Sequence, residues 1–247
     1  MKQAQIITIA EIKGGTGKTT TAAALAQAAI IEGKKVLIID LDGQGTISHR
    51  FGADTTAPGS YDLIAGNSKI NAVIQETEQG ADVIAGAPDL YAIRGEKGSI
   101  TTLAEKLEPV KKSYDLIVID TPPALNVLTF NAMQASTGLL IACYADEGSA
   151  DGLILTLEYA KSIKQTNNKL KVLGCVITQY DARPIVCRQF RELVIDAAKA
   201  NKCPYICDIR RGIAIVEAAA YGKNLFKYAP KSKPAQDYMT LYKTIIK

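Results

Sequence analysis

A glycine-rich loop with two lysines is the part of this sequence best suited to chemistry, and it reads Lys13-Gly14-Gly15-Thr16-Gly17-Lys18-Thr19-Thr20. Its glycines leave backbone N–H groups free to close on phosphate oxygens. A lysine at position 18 can reach β- and γ-phosphates, and a hydroxyl at position 19 can bind Mg²⁺. The loop therefore predicts a site for a nucleotide phosphate chain, with residues 14–20 as phosphate ligands, Lys18 as a catalytic residue and Thr19 as a metal ligand.

Carboxylates stand at the ends of two later apolar runs. Asp40 and Asp42 follow the run 36–39, and Asp120 closes the run 116–119 just before a Thr-Pro-Pro segment. An apolar strand that ends in aspartate is the Walker B pattern, whose carboxylate holds Mg²⁺ through water. Beside a phosphate loop, such carboxylates suit the binding of a metal and the positioning of water. We therefore expect a magnesium site where these two strands end.

The elements that position these loops alternate between apolar runs and helical stretches. The apolar runs predict strands at 6–10, 36–39, 81–85, 114–120, 138–143 and 171–178. The helical stretches include 21–31, 99–107, 184–200 and the tail 235–247, with shorter helices at 61–65 and 70–74. Strands that alternate with helices are typical of a parallel sheet. We expect one α/β domain over 1–247, built as a doubly wound, mainly parallel sheet with helices on both faces and a nucleotide at the carboxyl ends of the strands.

Composition narrows the class of protein. At 247 residues and 47% hydrophobic content, the chain can bury one good core. The first residues run straight into a strand, which leaves no room for a signal peptide, and no apolar run approaches the length of a membrane span. Five cysteines, an odd number, and a single histidine argue against a zinc site. We expect a cytoplasmic protein with reduced cysteines.

The phosphate loop departs from the usual consensus in a way that points to a family. Ile12 stands where the consensus has glycine, and Lys13 precedes two glycines. With these residues the chain resembles the ParA/MinD family of P-loop ATPases, whose deviant Walker A loop carries such a lysine, and in particular its Soj-like partition ATPases. The resemblance implies ATP and Mg²⁺ as cofactors and a homodimer that ATP bridges. It also implies that Lys13 is a catalytic residue that reaches the nucleotide of the partner subunit.

The resemblance assigns roles to the acidic segments as well. The segment 40–45 is similar to the family's D-L-D-P-Q-G switch, in which Asp42 orients the attacking water as a catalytic residue and Asp40 supports the metal and its waters. Gly43 replaces the family's proline, so we expect a looser loop. The segment that begins at Asp120 is similar to a second nucleotide-sensing switch, whose aspartate is a metal ligand.

Later segments match the family in part. The segment 178–183 is similar to the mouth of the family's adenine pocket, and 209–212 corresponds to the segment that closes over the base, without its proline. Asp151 matches an acidic residue that supports the inserted lysine, although an N-cap of the following helix explains it equally well. We therefore expect adenine recognition near 178–183 and 209–212.

Positive charge is concentrated near the end of the chain. The range 183–247 holds thirteen Lys and Arg against five Asp and Glu, a balance of +8, whereas 1–182 carries −4. A helical wheel of 184–200 puts Val186 and Leu193 on an apolar side and the basic residues on another. Basic residues of this region would bind DNA phosphates without regard to sequence and in a salt-sensitive way. The expected DNA-binding residues are Arg183, Arg188, Arg191, Lys199 and Arg211; an ordinary solvated helix face is the alternative.

The resemblance implies a function. A ParA-like partition ATPase would form an ATP-dependent sandwich dimer, bind nucleoid DNA non-specifically and hydrolyse ATP when a ParB-like partner stimulates it, so that a plasmid or other DNA cargo is segregated or positioned. Such a protein would be cytoplasmic and associated with the nucleoid.

Several alternatives remain beside this function. A MinD-like membrane-surface ATPase would use a basic amphipathic C-terminal helix, but the tail has few basic residues, so we expect it to pack on the core without stable membrane association. A P-loop amide ligase, an iron–sulfur reductase component and a bacterial tyrosine kinase are other enzymes on this fold. A non-enzymatic DNA-binding module would have no use for Lys18, Asp42 and Asp120 together.

Overall fold

A single eight-stranded sheet organises the chain in the computed structural model, which describes residues 3–93 and 99–246. The strands are β1 (Gln5–Ala10), β2 (Val36–Asp40), β3 (Ile74–Glu76), β4 (Asp82–Ile84), β5 (Leu116–Asp120), β6 (Gly138–Tyr144), β7 (Lys171–Tyr180) and β8 (Tyr205–Arg210). Their order is β3-β4-β2-β5-β1-β6-β7-β8, and only the β3–β4 pair is antiparallel. The central place of β1 puts the phosphate loop over the middle of the sheet.

Helices cover both faces of this sheet. They are α1 (Lys18–Ile31), α2 (Thr46–Phe51), α3 (Ser60–Ile64), α4 (Thr102–Leu107), α5 (Val127–Ala135), α6 (Ser149–Ile163), α7 (Ile185–Ala200), α8 (Ile213–Ala220), α9 (Leu225–Tyr228) and α10 (Lys233–Ile245). Helices α1, α2 and α8 to α10 share one core with Ile7 and Ile9 of β1, while α3 to α7 pack on the other face, where Ile6 is buried. Successive strand residues point to opposite faces, so both faces are apolar. The predicted doubly wound fold is confirmed.

The middle of the chain differs from the sequence-based expectation. The helix expected at 70–74 is a short 3-10 turn (Ile70–Ala72) that leads into the antiparallel edge strand β3, and α4 begins at Thr102 rather than at 99. A three-residue strand is too short to show a periodic pattern, which explains why it escaped prediction. Of the predicted start and tail, Met1, Lys2 and Lys247 lie outside the described residues.

The last helix closes the core over α1. Its apolar residues Tyr238, Leu241, Tyr242 and Ile245 are buried, as the tail pattern predicts. The Tyr238 hydroxyl lies 3.2 Å from the hydroxyl of Thr21 on α1, and Gln5 donates a hydrogen bond of 2.8 Å to the carbonyl of Ile245. The expected packing of the tail on the core is confirmed. Within the described ranges, no helix combines the length and the apolar character that a membrane crossing needs.

Candidate active site

The phosphate loop joins β1 to α1 and depends on glycine for its shape. Gly15 has φ +76° and Gly17 has φ +82°, both in the left-handed region that favours glycine. Gly17 also caps α1, and a Cβ there would lie 2.9 Å from the hydroxyl oxygen of Thr178. The first backbone N–H groups of α1 have no carbonyl partner within the helix, so they are suited to an anion.

The end of β7 supports this loop from one side. The Thr178 hydroxyl donates to the carbonyl of Thr16 at 2.6 Å, and the Gln179 side chain donates to the carbonyl of Gly15 at 3.0 Å. Only these two residues of 178–183 line the cavity at the phosphate loop, whereas the rest of the segment borders a separate surface cavity. The first two residues of the segment expected at the adenine pocket, Thr178 and Gln179, therefore support the phosphate loop by hydrogen bonds.

Both loop lysines are held by oxygen atoms of the same subunit. The buried Lys18 donates from Nζ to the carbonyl of Lys13 at 2.9 Å. Burial lowers the pKa of Lys18, while the charges of Asp120, then Glu11, act in the opposite direction. Lys13 Nζ lies 2.6 Å from Asp146 Oδ2 and 2.7 Å from the carbonyl oxygen of Glu147. A phosphate chain offers oxygens that could replace these partners.

The acid that holds Lys13 within the subunit is Asp146, which the sequence did not single out. Asp151, the residue expected for this role, is exposed in the first turn of α6. The N-cap of α6 is Gly148, in the left-handed region with φ 84°, so the alternative explanation of Asp151 as an N-cap is wrong. The course of the loop after β6 decides which carboxylate meets the lysine, and no motif encodes that course.

Two buried aspartates lie side by side at the carboxyl edge of the sheet. Asp40 of β2 and Asp120 of β5 are partners in the strand register, and neither is accessible to solvent. Asp40 accepts hydrogen bonds from the backbone N–H of Asp42 at 3.0 Å and from the hydroxyl of Ser48 at 2.7 Å. Asp40 therefore holds the turn after β2 in place.

Asp120 differs from its neighbour because both of its carboxylate oxygens are buried without a hydrogen-bond partner among the described residues. Burial, reinforced by the charge of Asp40, raises the pKa of the Asp120 carboxyl. A buried carboxylate without partners is costly, and a bound cation would remove that cost. Together with the hydroxyl of Thr19 on the first turn of α1, the donor set is one that Mg²⁺ prefers, so the residues present fit a magnesium ion.

The loop after β2 is held from outside by an aromatic ring. Tyr91, in the 3-10 turn Pro88–Ala92, covers Gly43 so closely that a Cβ there would lie 2.7 Å from the ring, and the Gln44 side chain donates to its hydroxyl. Tyr91 thus packs on the loop at the position where the family's proline is missing. The half-buried Asp42 of this loop lines the cavity.

A cavity of about 620 Å³ runs from the phosphate loop to α8. Its far wall is apolar, with Ile213 and Val216 at 69% and 61% exposure. Arg211 lines this cavity although the sequence suggested it for DNA, while the neighbouring Arg210 is bound to Asp237 at 2.6 Å. The apolar wall suits a flat base, and it escaped prediction because α8 carries no motif.

Glu11 is another buried acid near the phosphate loop, and the sequence analysis did not single it out. Its Oε1 accepts from the backbone N–H of Ile12 at 2.9 Å and of Lys13 at 3.4 Å. A Cβ on Gly152 would lie 2.3 Å from the same oxygen, so a glycine on α6 makes room for the carboxyl group. Burial raises the pKa of Glu11 to about 7. The carboxyl group thus shapes the entry to the phosphate loop.

Helix α7 is rotated relative to the helical wheel expected from its sequence. Of the residues expected on the packed side, Val194 is buried, but Val186 and Leu193 are 49% and 55% exposed, and Ala198 is buried as well. Arg191 is on the packed side instead of the exposed basic arc. A wheel of one helix could not show this, because the partners on β7 and β8 decide the rotation.

Arg191 is held by several groups at once. Its Nε donates to Asp208 at 2.8 Å, another nitrogen donates to Glu192 at 2.6 Å, and the guanidinium lies 5.7 and 5.3 Å from the ring centres of Tyr180 and Tyr205. Arg188 and Lys199 are exposed, and so is Arg183, which pairs with Asp181. The predicted basic residues therefore do not form one free surface.

Known proteins resemble this chain over nearly its whole length. The AAA domain family matches residues 4–172. The chromosome-partitioning ATPase Soj of Thermus thermophilus is 34% identical over 245 residues, which cover 97% of this chain and 94% of that protein.

Solved structures resemble this chain as well. Cobyrinic acid a,c-diamide synthase of Mycobacterium smegmatis, with bound ATP analogue and magnesium, superimposes with a TM-score of 0.81 at 26% identity, over 97% of this chain and 93% of that chain. The septum site-determining protein MinD of Pyrococcus horikoshii, complexed with Mg-ADP, has a TM-score of 0.80 at 26% identity, over 99% and 96% of the two chains. From its sequence and its fold, this chain belongs to the ParA/MinD family of P-loop ATPases.

Proposed function

We propose that this chain is a ParA-like partition ATPase that hydrolyses ATP to ADP and phosphate with Mg²⁺. The observation that carries the proposal is the pair of lysines, Lys13 and Lys18, on a phosphate loop that faces the orphaned carboxylate of Asp120. The relationship to a chromosome-partitioning ATPase along nearly the full chain supports it.

The residues of the site divide the work of phosphoryl transfer. The backbone N–H groups of residues 14–20 bind the phosphates, and Lys18 exchanges the carbonyl of Lys13 for β- and γ-phosphate oxygens. Thr19 and Asp120, with Asp40 in support, would hold Mg²⁺, which neutralises charge on the phosphates. Asp42 accepts a hydrogen bond from the attacking water and orients it.

We infer that the active form is a dimer bridged by ATP. In the single subunit, Lys13 is bound to Asp146 and to the carbonyl of Glu147. To reach the partner's nucleotide, Lys13 exchanges these contacts for phosphate oxygens, which accept charge-assisted hydrogen bonds as the carboxylate of Asp146 does. Dimerisation thus competes with an ion pair that already exists in the free subunit.

DNA binding is assigned to the exposed basic residues at the α7 edge. Arg188 and Lys199 are exposed on α7, with Arg183 just before the helix. Two such edges in one dimer bind a single duplex with an avidity that neither has alone. A ParB-like partner stimulates hydrolysis and resets the dimer, and the protein is cytoplasmic and nucleoid-associated. Arg191 supports this edge from within, and Arg211 faces the nucleotide cavity.

The MinD-like alternative depends on the tail. Because the apolar face of α10 is buried against α1 and β8, it offers no free apolar surface within the described residues to a membrane. The similarity to an amide synthase at 26% identity keeps a metabolic enzyme as the second alternative.

The test is binding to a non-specific DNA duplex with ATP, with ADP and without nucleotide, at two salt concentrations. We expect binding that needs ATP and weakens with salt, and that Arg188→Ala/Lys199→Ala abolishes. Lys69→Ala/Lys112→Ala, which removes two exposed lysines elsewhere, is the matched control and should bind like the wild type. Absence of binding under every condition would favour the membrane or metabolic alternative instead.

A further inference from the structure

Arg50, near the end of α2, extends toward the phosphate loop. One guanidinium nitrogen donates to the hydroxyl of Thr20 at 3.3 Å, a long hydrogen bond. The backbone carbonyl of Arg50 accepts from the Gln79 side chain, which fixes the end of α2. The side chain is half-buried and lines the same cavity as Thr19 and Thr20.

Among the residues that the structure describes, the guanidinium of Arg50 has no acidic partner. None of the ion pairs among the described residues includes it. Burial lowers the pKa of Arg50, and the charges of Asp120, then Tyr238, oppose that shift. A guanidinium carries five N–H donors, and the hydrogen bond to Thr20 uses one of them. No nitrogen of Arg50 is sealed from solvent without a partner, so its remaining donors are accessible to a ligand in the cavity that the residue lines.

Arginines with a structural role elsewhere in the described chain are paired with carboxylates. Arg191 and Arg210 are each bound to an aspartate at less than 3 Å. A half-buried cation without such a partner is costly, and that cost falls when an anion arrives. The cavity that Arg50 lines is the one that must accept a polyanion, so the missing partner is a group of the ligand.

The position of Arg50 within the cavity selects the part of the nucleotide. Lys18 and Thr19 face the carboxylate of Asp120 at one end, and the apolar wall of Ile213 and Val216 lies at the other. Thr20 is one residue beyond Thr19 on the first turn of α1, and Arg50 meets Thr20. The guanidinium is therefore placed between the metal end and the base end, where the α-phosphate links the ribose to the rest of the phosphate chain.

We propose that Arg50 is a nucleotide-binding residue whose guanidinium binds the α-phosphate of ATP and ADP. Because α2 directly follows the loop of Asp42, this contact also ties the position of that loop to the presence of a nucleotide. The inference rests on the ATP site of the proposed function but needs neither DNA binding nor a partner protein.

The experiment compares wild type with Arg50→Gln and Arg50→Lys by calorimetric titration with ADP and with ATP, and by thermal denaturation without nucleotide. We expect Arg50→Gln to bind both nucleotides about 10- to 100-fold more weakly, by a similar factor for each. Arg50→Lys should bind more tightly than Arg50→Gln, because it keeps the charge without the forked geometry. The control Lys112→Gln, on an exposed lysine far along the chain that the proposed function does not use, should bind like wild type.

Stability separates this role from a structural one. Removal of an unpaired, half-buried cation should leave the nucleotide-free Tm of Arg50→Gln equal to or above that of wild type. A lower Tm, failure to fold, or unchanged ADP affinity would overturn the proposal, and so would a loss confined to ATP, which would place Arg50 at the γ-phosphate. If wild type binds ADP but not DNA, the partition function fails while the role of Arg50 stands.

Discussion

Charged groups inside the molecule lack partners of opposite charge at the nucleotide end of the sheet but are paired at the edge formed by α7 and β8. At the nucleotide end, Asp120 and Arg50 have no partner of opposite charge within 4.0 Å among the described residues. At the α7–β8 edge, Arg191 is enclosed by Asp208, Glu192 and two tyrosine rings. In the first region the charges await a partner that a ligand would supply, whereas in the second the opposite charges are paired within the fold, although Asp208 Oδ1 lacks a hydrogen-bond partner among the described residues.

In this chain, buried charges without partners indicate a functional region better than a high density of charge does. Buried groups that lack partners cost stability, and a fold keeps them only where something else supplies the partner. The basic composition of the last quarter suggested function at the α7–β8 edge, but part of that charge is used for packing. Three experiments test this difference between the two regions.

The largest effect is expected for Asp120→Asn. Loss of the metal-binding carboxylate should lower the rate of ATP hydrolysis by about 100-fold or more, measured as phosphate release with Mg²⁺. The same substitution replaces one buried group without partners by another, so the free energy of unfolding of the nucleotide-free protein should not fall below that of wild type. Asp196→Asn, at an exposed position on α7, should change neither quantity. A destabilised Asp120→Asn protein would contradict the view that this carboxylate lacks a partner.

Glu11→Gln should change how stability depends on pH. The pKa of Glu11 is 4.5 in its reference state and about 7 in the fold. The folded state keeps a proton that the unfolded state has lost between these values, so this group makes the wild type less stable as pH rises from 4.5 to 7.

At pH 8, Glu11→Gln should therefore exceed wild type in its free energy of unfolding by up to about 3 kcal/mol, and the difference should vanish at pH 4.5 and below. Urea unfolding without nucleotide at pH 4.5, 6 and 8 measures this difference. Glu158→Gln, at an exposed site on α6, is the control that should show no such slope. A difference that stays constant with pH would mean that Glu11 acts only through its shape.

The smallest effects separate the two arginines of α7. Arg191→Gln should lower the free energy of unfolding by about 2 kcal/mol, because it leaves Asp208 without its partner. Arg188→Gln should change it by less than about 0.5 kcal/mol, since its side chain is exposed. In DNA binding the order reverses: only Arg188→Gln should reduce the slope of affinity against salt by about one. If both variants reduced the salt dependence of DNA affinity equally, Arg191 would also be a DNA-binding residue.

The phosphate loop and the strands beneath it were predictable because their signals are local. A glycine-rich loop between an apolar run and a helix, and aspartates at strand ends, are readable at fixed spacing. The contacts of Asp146 with Lys13 and of Arg50 with Thr20 join residues that are 133 and 30 positions apart. Such pairs depend on how loops and helices pack, as does the rotation of α7, so no local pattern contains them.

The packing of α10 on α1 affects how the protein folds while it is being synthesised. Thr21 of α1 and its buried neighbours are covered by Tyr238 and the rest of α10, and Tyr238 is synthesised 217 residues after Thr21. During synthesis, the alanine-rich surface of α1 therefore stays exposed, because the segment that covers it has not yet been made. Until α10 has emerged, this surface is available to chaperones, and the ATP site cannot reach its final stability.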